Sequence, residues 1–292
     1  MNIIILMKKI FLFILIISIF IFPFSVKAQP QTLLQQIEIL QREIRLLQAL
    51  IVNFQLEQEI TADSYLAVDL SNNAVLLAKN NDQSYPIASI TKLMSSLIAL
   101  EQIEANQEIR LRREMLRPAG RSPSLFLGAR VSAKNLIKAS LIQSSNDASE
   151  ALAHFLGEEK FINLMNQKAR ELEMHNTIFY DAHGISPNNR SSANDLVKLL
   201  NYISQQQPEI WQITRNNNLW LPNNRGKLLK FRNTNHFYPL NRFVGGKTGW
   251  IPEAKQTFAG IFQINDRPVA IIVLRSDNRQ ADVFAIYRQL QN

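Results

Sequence analysis

The chain has 292 residues, 46% hydrophobic and 19% charged, with a formal net charge of +8. That balance suits a globular protein with a sizeable core, and the length permits one large domain or two small ones. There is no cysteine, which excludes disulfides, thiol catalysis and Cys-ligated metals, and no basic run or aromatic-basic stripe of the kind that binds nucleic acid.

Residues 1–28 carry a basic pair, Lys8-Lys9, an uncharged run from Ile10 to Val26 broken by Pro23, and the small residue Ala28 before Gln29. This is the layout of a signal peptide, and the apolar run also reaches the lower limit for a membrane anchor. Both readings export the rest of the chain to the periplasmic or extracytoplasmic face of the cell envelope.

Residues 29–60 hold Leu33, Ile37, Leu40, Ile44, Leu47, Ile51 and Phe54 at alternating steps of four and three. Ile at a and Leu at d predict a heptad helix that pairs as a parallel two-stranded coiled coil, making residues 33–54 a homodimer seam. Ile39, Leu46 and Leu50 widen the stripe. A helix packed on its own domain or lying on a membrane therefore stands beside the dimer reading.

From Ala62 the texture changes. Ser64 to Leu70, a turn at Ser71-Asn72-Asn73 and Ala74 to Ala78 predict a β-hairpin. Helices are expected near Ala133–Gln143, Ala148–Leu156, Lys160–Glu173 and Ser192–Ser204, with Pro208–Leu240 polar and irregular. Strands near Phe258–Ile264 and Val269–Leu274 precede a last helix from Ala281. Strands at both ends with helices between predict an α+β fold over residues 61–292. Its antiparallel sheet is built from both termini, flanked by helices and interrupted by a helical subdomain.

Within this domain Ser89-Ile-Thr-Lys92 lies where a turn-rich segment gives way to an apolar-periodic helix ending near Leu100. Residues three apart share a helix face, so the Lys92 amine can stand beside the Ser89 hydroxyl and, if neutral, take its proton. A serine at a helix start is ordinarily a cap, and the pair alone is a common pattern. Two further elements follow in order: Ser144-Ser145-Asn146 before a helix, and Lys247-Thr248-Gly249 on a strand. Asn146 and Asp147 could simply cap that helix, and Asp147 with Glu150 has capping-box spacing. The three together form the serine–lysine signature of penicillin-binding proteins and related β-lactamases. His154, His175, His183 and His236 show no metal-binding spacing, so no metal or other cofactor is expected.

From about Ser64 to Leu274 the chain resembles the D-alanyl-D-alanine carboxypeptidase family of low-molecular-mass penicillin-binding proteins. The shared stretches include Ala88 to Met94, Ser144 to Ala148, Asp181-Ala-His-Gly184, Asn233-Thr-Asn235 and Gly245 to Gly249. The resemblance implies a serine D,D-peptidase that cleaves the terminal D-Ala-D-Ala bond of peptidoglycan stem peptides through an acyl-enzyme. Cross-link endopeptidase is the alternative, and β-lactams are expected covalent inhibitors. It implies Ser89 as nucleophile, Lys92 as base with its pKa lowered by burial beside Lys247, and Ser144 as proton relay. Asn146 would hold substrate and Lys92, and Lys247 and Thr248 would bind the terminal carboxylate. Gly249 would clear the strand edge for substrate, and the backbone N–H of Ser89 and Trp250 would form the oxyanion hole. His183 is assigned a structural role. A serine β-lactamase shares the three motifs, but the Glu-x-x-Leu-Asn loop of class A enzymes is not found. Many members carry a C-terminal β-domain and amphipathic anchor; here cleavage after Ala28 is the favoured reading, and the N-terminal apolar segment with the heptad helix is the alternative anchor.

Overall fold

The structure, a computed structural model, describes residues 36–44, 60–116, 125–222 and 225–291. The chain divides into two compact units, Met1–Gln55 and Leu56–Asn292. In the first, residues 36–44 are helical, and Ile37, Ile39, Leu40 and Ile44 are exposed. The signal-peptide segment and the heptad positions Leu33, Leu47, Ile51 and Phe54 lie outside the described residues. Among the described residues no helix is long and apolar enough to cross a membrane.

The second unit opens with the predicted hairpin, β1 (Ser64–Asp69) and β2 (Ala74–Lys79). The short strand β3 (Tyr85–Pro86) leads through a 3-10 turn, Ala88–Ile90, into α1 (Thr91–Gln102). Strands β4 (Glu108–Arg110) and β5 (Arg130–Ser132) pair, and α2 (Ala133–Ile142), α3 (Asn146–Leu156) and α4 (Glu158–Glu171) follow. Strand β6 (Arg190–Ser191) pairs with β3, and α5 (Ala193–Gln206) and α6 (Glu209–Arg215) come next. The chain then forms a ribbon of β7 (Asn218–Pro222) and β8 (Leu228–Arg232). It closes with β9 (Phe243–Ile251), β10 (Lys255–Ile264), β11 (Arg267–Ser276) and α7 (Arg279–Gln289).

The main sheet is antiparallel in the order β2-β1-β11-β10-β9, so strands from the two ends of the domain meet at β1 and β11. Side chains alternate along each strand, and both faces are covered. On β11, Ala270, Ile272 and Leu274 join the core shared with the helical body, whereas Val269, Ile271 and Val273 join a second core under α7. That second core is dominated by Phe237, Phe243, Phe258 and Phe262, whose rings meet edge-on or tilted. Double burial explains why β10 and β11 read as continuous apolar runs rather than alternating ones. Their turn is Asn265-Asp266, both at positive φ, the two-residue connection that matches strand twist.

Helix α1 is buried from Thr91 to Ala99 and forms the centre of the helical body. Serines open three of the helices around it: Ser132, Ser145 and Ser192 accept the N–H of Asn135, Ala148 and Asp195. Thus α3 begins at Asn146 rather than Ala148. Its cap is Ser145, not Asn146 or Asp147, and Glu150 lies beyond the capping positions.

The stretch 208–240, expected to be irregular, contains α6 and the β7–β8 ribbon. On β7 Leu219 and Leu221 point inward while Trp220 is exposed, a period-two pattern too short to stand out among asparagines. The last helix starts at Arg279, capped by Asn278.

Candidate active site

The centre of the site is the junction of the 3-10 turn with α1. Ala88 has φ +49, a left-handed conformation that costs energy for a residue with a Cβ, and it places Ser89 on a tight turn before the helix. The Ile87 N–H donates to the Asn189 carbonyl at 3.0 Å, and the Thr257 hydroxyl donates to the Ile87 carbonyl at 3.1 Å. Loop, turn and sheet are thereby tied around the serine.

Lys92 is completely buried. Its Nζ donates to Ser89 Oγ at 3.0 Å, to Asn146 Oδ1 at 2.8 Å and to the His183 carbonyl. Three acceptors satisfy the three ammonium donors. Burial brings its pKa down to about 7, with Asp181 pulling the other way. The first and second motifs therefore meet at one amine. Ser144, at φ +59, is half-buried, and its hydroxyl makes no hydrogen bond among the described residues.

The third motif lies on β9, the edge strand of the sheet. Lys247 is buried, with Nζ donating to the Thr248 carbonyl at 3.0 Å. Burial first, then Lys92 and Arg279, hold its pKa well below the ordinary lysine range. Burial is the first cause at both lysines, and the charge of Lys92 adds to it at Lys247. Packing gives Gly249 a reason of its own. A Cβ there would lie 2.5 Å from Thr257 Oγ1, 2.9 Å from the Ile87 carbonyl and 2.9 Å from the Ser89 nitrogen. The glycine lets the strand approach the nucleophile's own backbone. Trp250, next along, is 62% exposed.

Three contributors were given no role from the sequence, although Asp181 opens the shared stretch Asp181–Gly184. Asp181 accepts the N–H of His183 at 3.0 Å, of Gly184, and of Ser186 at 2.7 Å, which folds loop 181–186 so that the His183 carbonyl faces Lys92. Asn189, fully buried, donates to Asp181 Oδ1 at 2.7 Å and to Thr91 Oγ1 at 3.3 Å, pinning that loop to α1. Arg279, at the start of α7, donates to the Gly249 carbonyl at 2.8 Å and adds positive charge beside Lys247. Nothing near Arg279 in the sequence marks it, because the sheet brings it there across the fold.

Glu150, His154 and Glu158 bring one donor atom each within 4.8 Å of one another. The same arrangement is an imidazole held between two carboxylates, and no chemical step is routed through it. The central cluster of serine, two buried amines and the edge strand β9 suits acyl transfer from a ligand that carries a carboxylate.

Residues 51–278 match the family described as D-alanyl-D-alanine carboxypeptidase. A D-alanyl-D-alanine endopeptidase of Escherichia coli (strain K12) is 34% identical over 225 residues, 75% of this chain and 72% of that protein. A D-alanyl-D-alanine carboxypeptidase of Bacillus subtilis (strain 168) is 32% identical over 227 residues, 72% of this chain and 57% of that protein. The solved structure of penicillin-binding protein D2 from Listeria monocytogenes in its cefotaxime-bound form is 25% identical. It superposes with a TM-score of 0.71, covering 80% of this chain and 98% of that one.

Proposed function

The chain belongs to the D-alanyl-D-alanine carboxypeptidase family, and on that premise we propose that it is a serine-type D-alanyl-D-alanine carboxypeptidase acting on peptidoglycan stem peptides. The observation that carries the reading is the buried Lys92 amine, 3.0 Å from the Ser89 hydroxyl.

Ser89 Oγ attacks the carbonyl of the penultimate D-alanine while neutral Lys92 takes its proton. The oxyanion is met by the backbone N–H of Ser89 and of Trp250. The C–N bond breaks, the proton passes to the leaving amine with Ser144 as relay, and D-alanine departs. Water then attacks the ester, giving up its proton through Lys92, and Ser89 is regenerated. Asn146 holds both Lys92 and the substrate amide. Lys247 and Thr248, supported by Arg279, bind the terminal carboxylate, and the substrate backbone lies along the β9 edge. A β-lactam presents a strained amide and a carboxylate to the same groups, so it acylates Ser89. Action on the wall places this domain outside the cytoplasm, tethered or released by the apolar segment of residues 1–28.

A cross-link endopeptidase is the second reading, favoured by one observation: the E. coli endopeptidase is 34% identical to this chain over 225 residues. Two experiments test these readings. Wild-type protein takes a fluorescent penicillin covalently and Ser89→Ala does not; absence of label on folded wild type sinks the peptidase reading. Monomeric pentapeptide muropeptides should lose D-alanine faster than cross-linked dimers are split. The reverse ranking selects the endopeptidase.

A further inference from the structure

Of the three acceptors around Lys92, Ser89 Oγ is the reacting group and Asn146 Oδ1 is carried by α3. The third, the His183 carbonyl, belongs to a loop, so its placement depends on what holds that loop. Asp181 shapes the loop internally. The His183 ring connects it to the helical body: Nε2 lies 3.5 Å from Glu150 Oε2 on α3.

The ring's protonation follows from its partners. Nδ1 accepts the N–H of Ile185 at 3.2 Å. Asp181 Oδ1, 3.3 Å from Nδ1, already accepts from the amides of His183 and Gly184 and from Asn189 Nδ2. The proton of the neutral imidazole is therefore on Nε2, facing Glu150. Burial lowers the His183 pKa to about 4, so the ring is neutral where the enzyme works.

Glu150 stands one helical turn after Asn146, and residues four apart share a helix face. The same face of α3 thus reaches Lys92 directly through Asn146 and indirectly through Glu150 and His183. One turn further on, His154 Nε2 lies 3.2 Å from Glu150 Oε1 and steadies the carboxylate from its other side. Glu158, from the start of α4, lies 3.6 Å from the same nitrogen. A nearly buried carboxylate needs such partners, but its place between His154 and the loop under the base is not required by helix formation, since Ser145 provides the cap.

We propose that Glu150 is a positioning residue for the base: by holding the His183 ring it fixes the His183 carbonyl against the Lys92 amine and so sets the geometry and basicity of Lys92. The proposal rests on the reading of Ser89 and Lys92 as nucleophile and base. The charged and titratable groups facing Glu150 are His154 on its own helix, Glu158 on α4 and His183 on the loop, with Asp181 and Lys92 behind that ring.

The test uses the full chain and a fluorescent penicillin in rapid mixing, separating the dissociation constant from the acylation rate constant across pH. Glu150→Ala is expected to lower the acylation rate constant about tenfold with little change in binding, the loss of one hydrogen bond to an ionised group. It should also move the acid limb of the profile to lower pH, because an acceptor and a negative charge that favour the protonated amine are both weakened. Glu150→Gln keeps an oxygen for the Nε2 proton, so its rate constant should recover to within about threefold of wild type while the limb stays shifted. An unmoved limb with an unchanged rate constant in Glu150→Ala overturns the proposal. So does an equal loss of binding and rate at an unmoved limb, which marks a general structural defect. If Glu150→Ala does not fold, an unmoved limb in Glu150→Gln overturns it. A wild type that is never acylated removes the nucleophile and base themselves.

Discussion

Lys92 and Lys247 are both buried at the same site, and each amine is held below the ordinary lysine range, by burial first. Two desolvated amines in proximity do not both stay charged. A ligand carboxylate changes this balance by supplying a counter-charge that favours the protonated form of Lys247. A cationic Lys247 in turn disfavours a proton on Lys92. Binding of the carboxylate and readiness of the base are coupled through this pair.

The first prediction is a pH profile. Acylation needs neutral Lys92, so its rate should rise through about pH 7 and level above it. For a ligand with a free carboxylate the limb should lie lower than for the same ligand as its amide. Stopped-flow acylation across pH measures both, and a limb that ignores the carboxylate refutes the coupling. Folding linkage has the matching sign: from pH 7 to about 10.4 the unfolded chain holds the Lys92 proton and the folded chain does not, so stability climbs with pH there.

Gly184 offers a sharper steric test. It has φ +84, and a Cβ on it would lie 2.0 Å from the Ala88 carbonyl oxygen, one residue before the nucleophile. Gly184→Ala should cost about 2–4 kcal/mol of stability and remove penicillin labelling. Gly128 has the same φ, and a Cβ on it would meet nothing within 4 Å. Gly128→Ala should therefore cost only about 1 kcal/mol and label normally. Denaturant melts with labelling of the folded fraction separate backbone strain from close approach; equal behaviour of the two variants contradicts the argument.

A third prediction concerns the closure of the domain. Asp282 is buried on α7 and accepts from the Thr61 amide at 2.9 Å, the Thr61 hydroxyl at 2.9 Å and the Ser276 hydroxyl at 2.6 Å. These bonds fasten the entry of the domain to its last strand and last helix. Asp282→Ala leaves those donors unmatched and should cost about 2–4 kcal/mol, with acylation per folded molecule unchanged. A melting midpoint equal to wild type would show that the junction is held by packing alone.

The sequence made the sheet legible because its strands are long apolar runs and its first hairpin has a clear turn. The β7–β8 ribbon was not legible: five-residue strands with two inward leucines give a weak period inside an Asn-rich stretch. The start of α3 shifted by two residues because Ser145, rather than Asn146 or Asp147, took the cap. Ser89, Lys92 and Asn146 could be named in advance because short motifs fix their spacing, and the fold brings all three to one amine.

Local order along the chain, then, determined which residues carry the chemistry and on which elements they ride. Only tertiary structure decided their electrical state and their support. Lys92 is lowered by burial, a property of the whole fold rather than of its neighbours in the chain. Asp181, Asn189, Glu150 and Arg279 reach the site from separate loops and helices, and no spacing rule joins residues whose contact exists only after the sheet has closed. Gly249 shows both levels at once: its place was written in a three-residue motif, but the reason for it, a strand pressed against the Ser89 backbone, is visible only in the packed molecule.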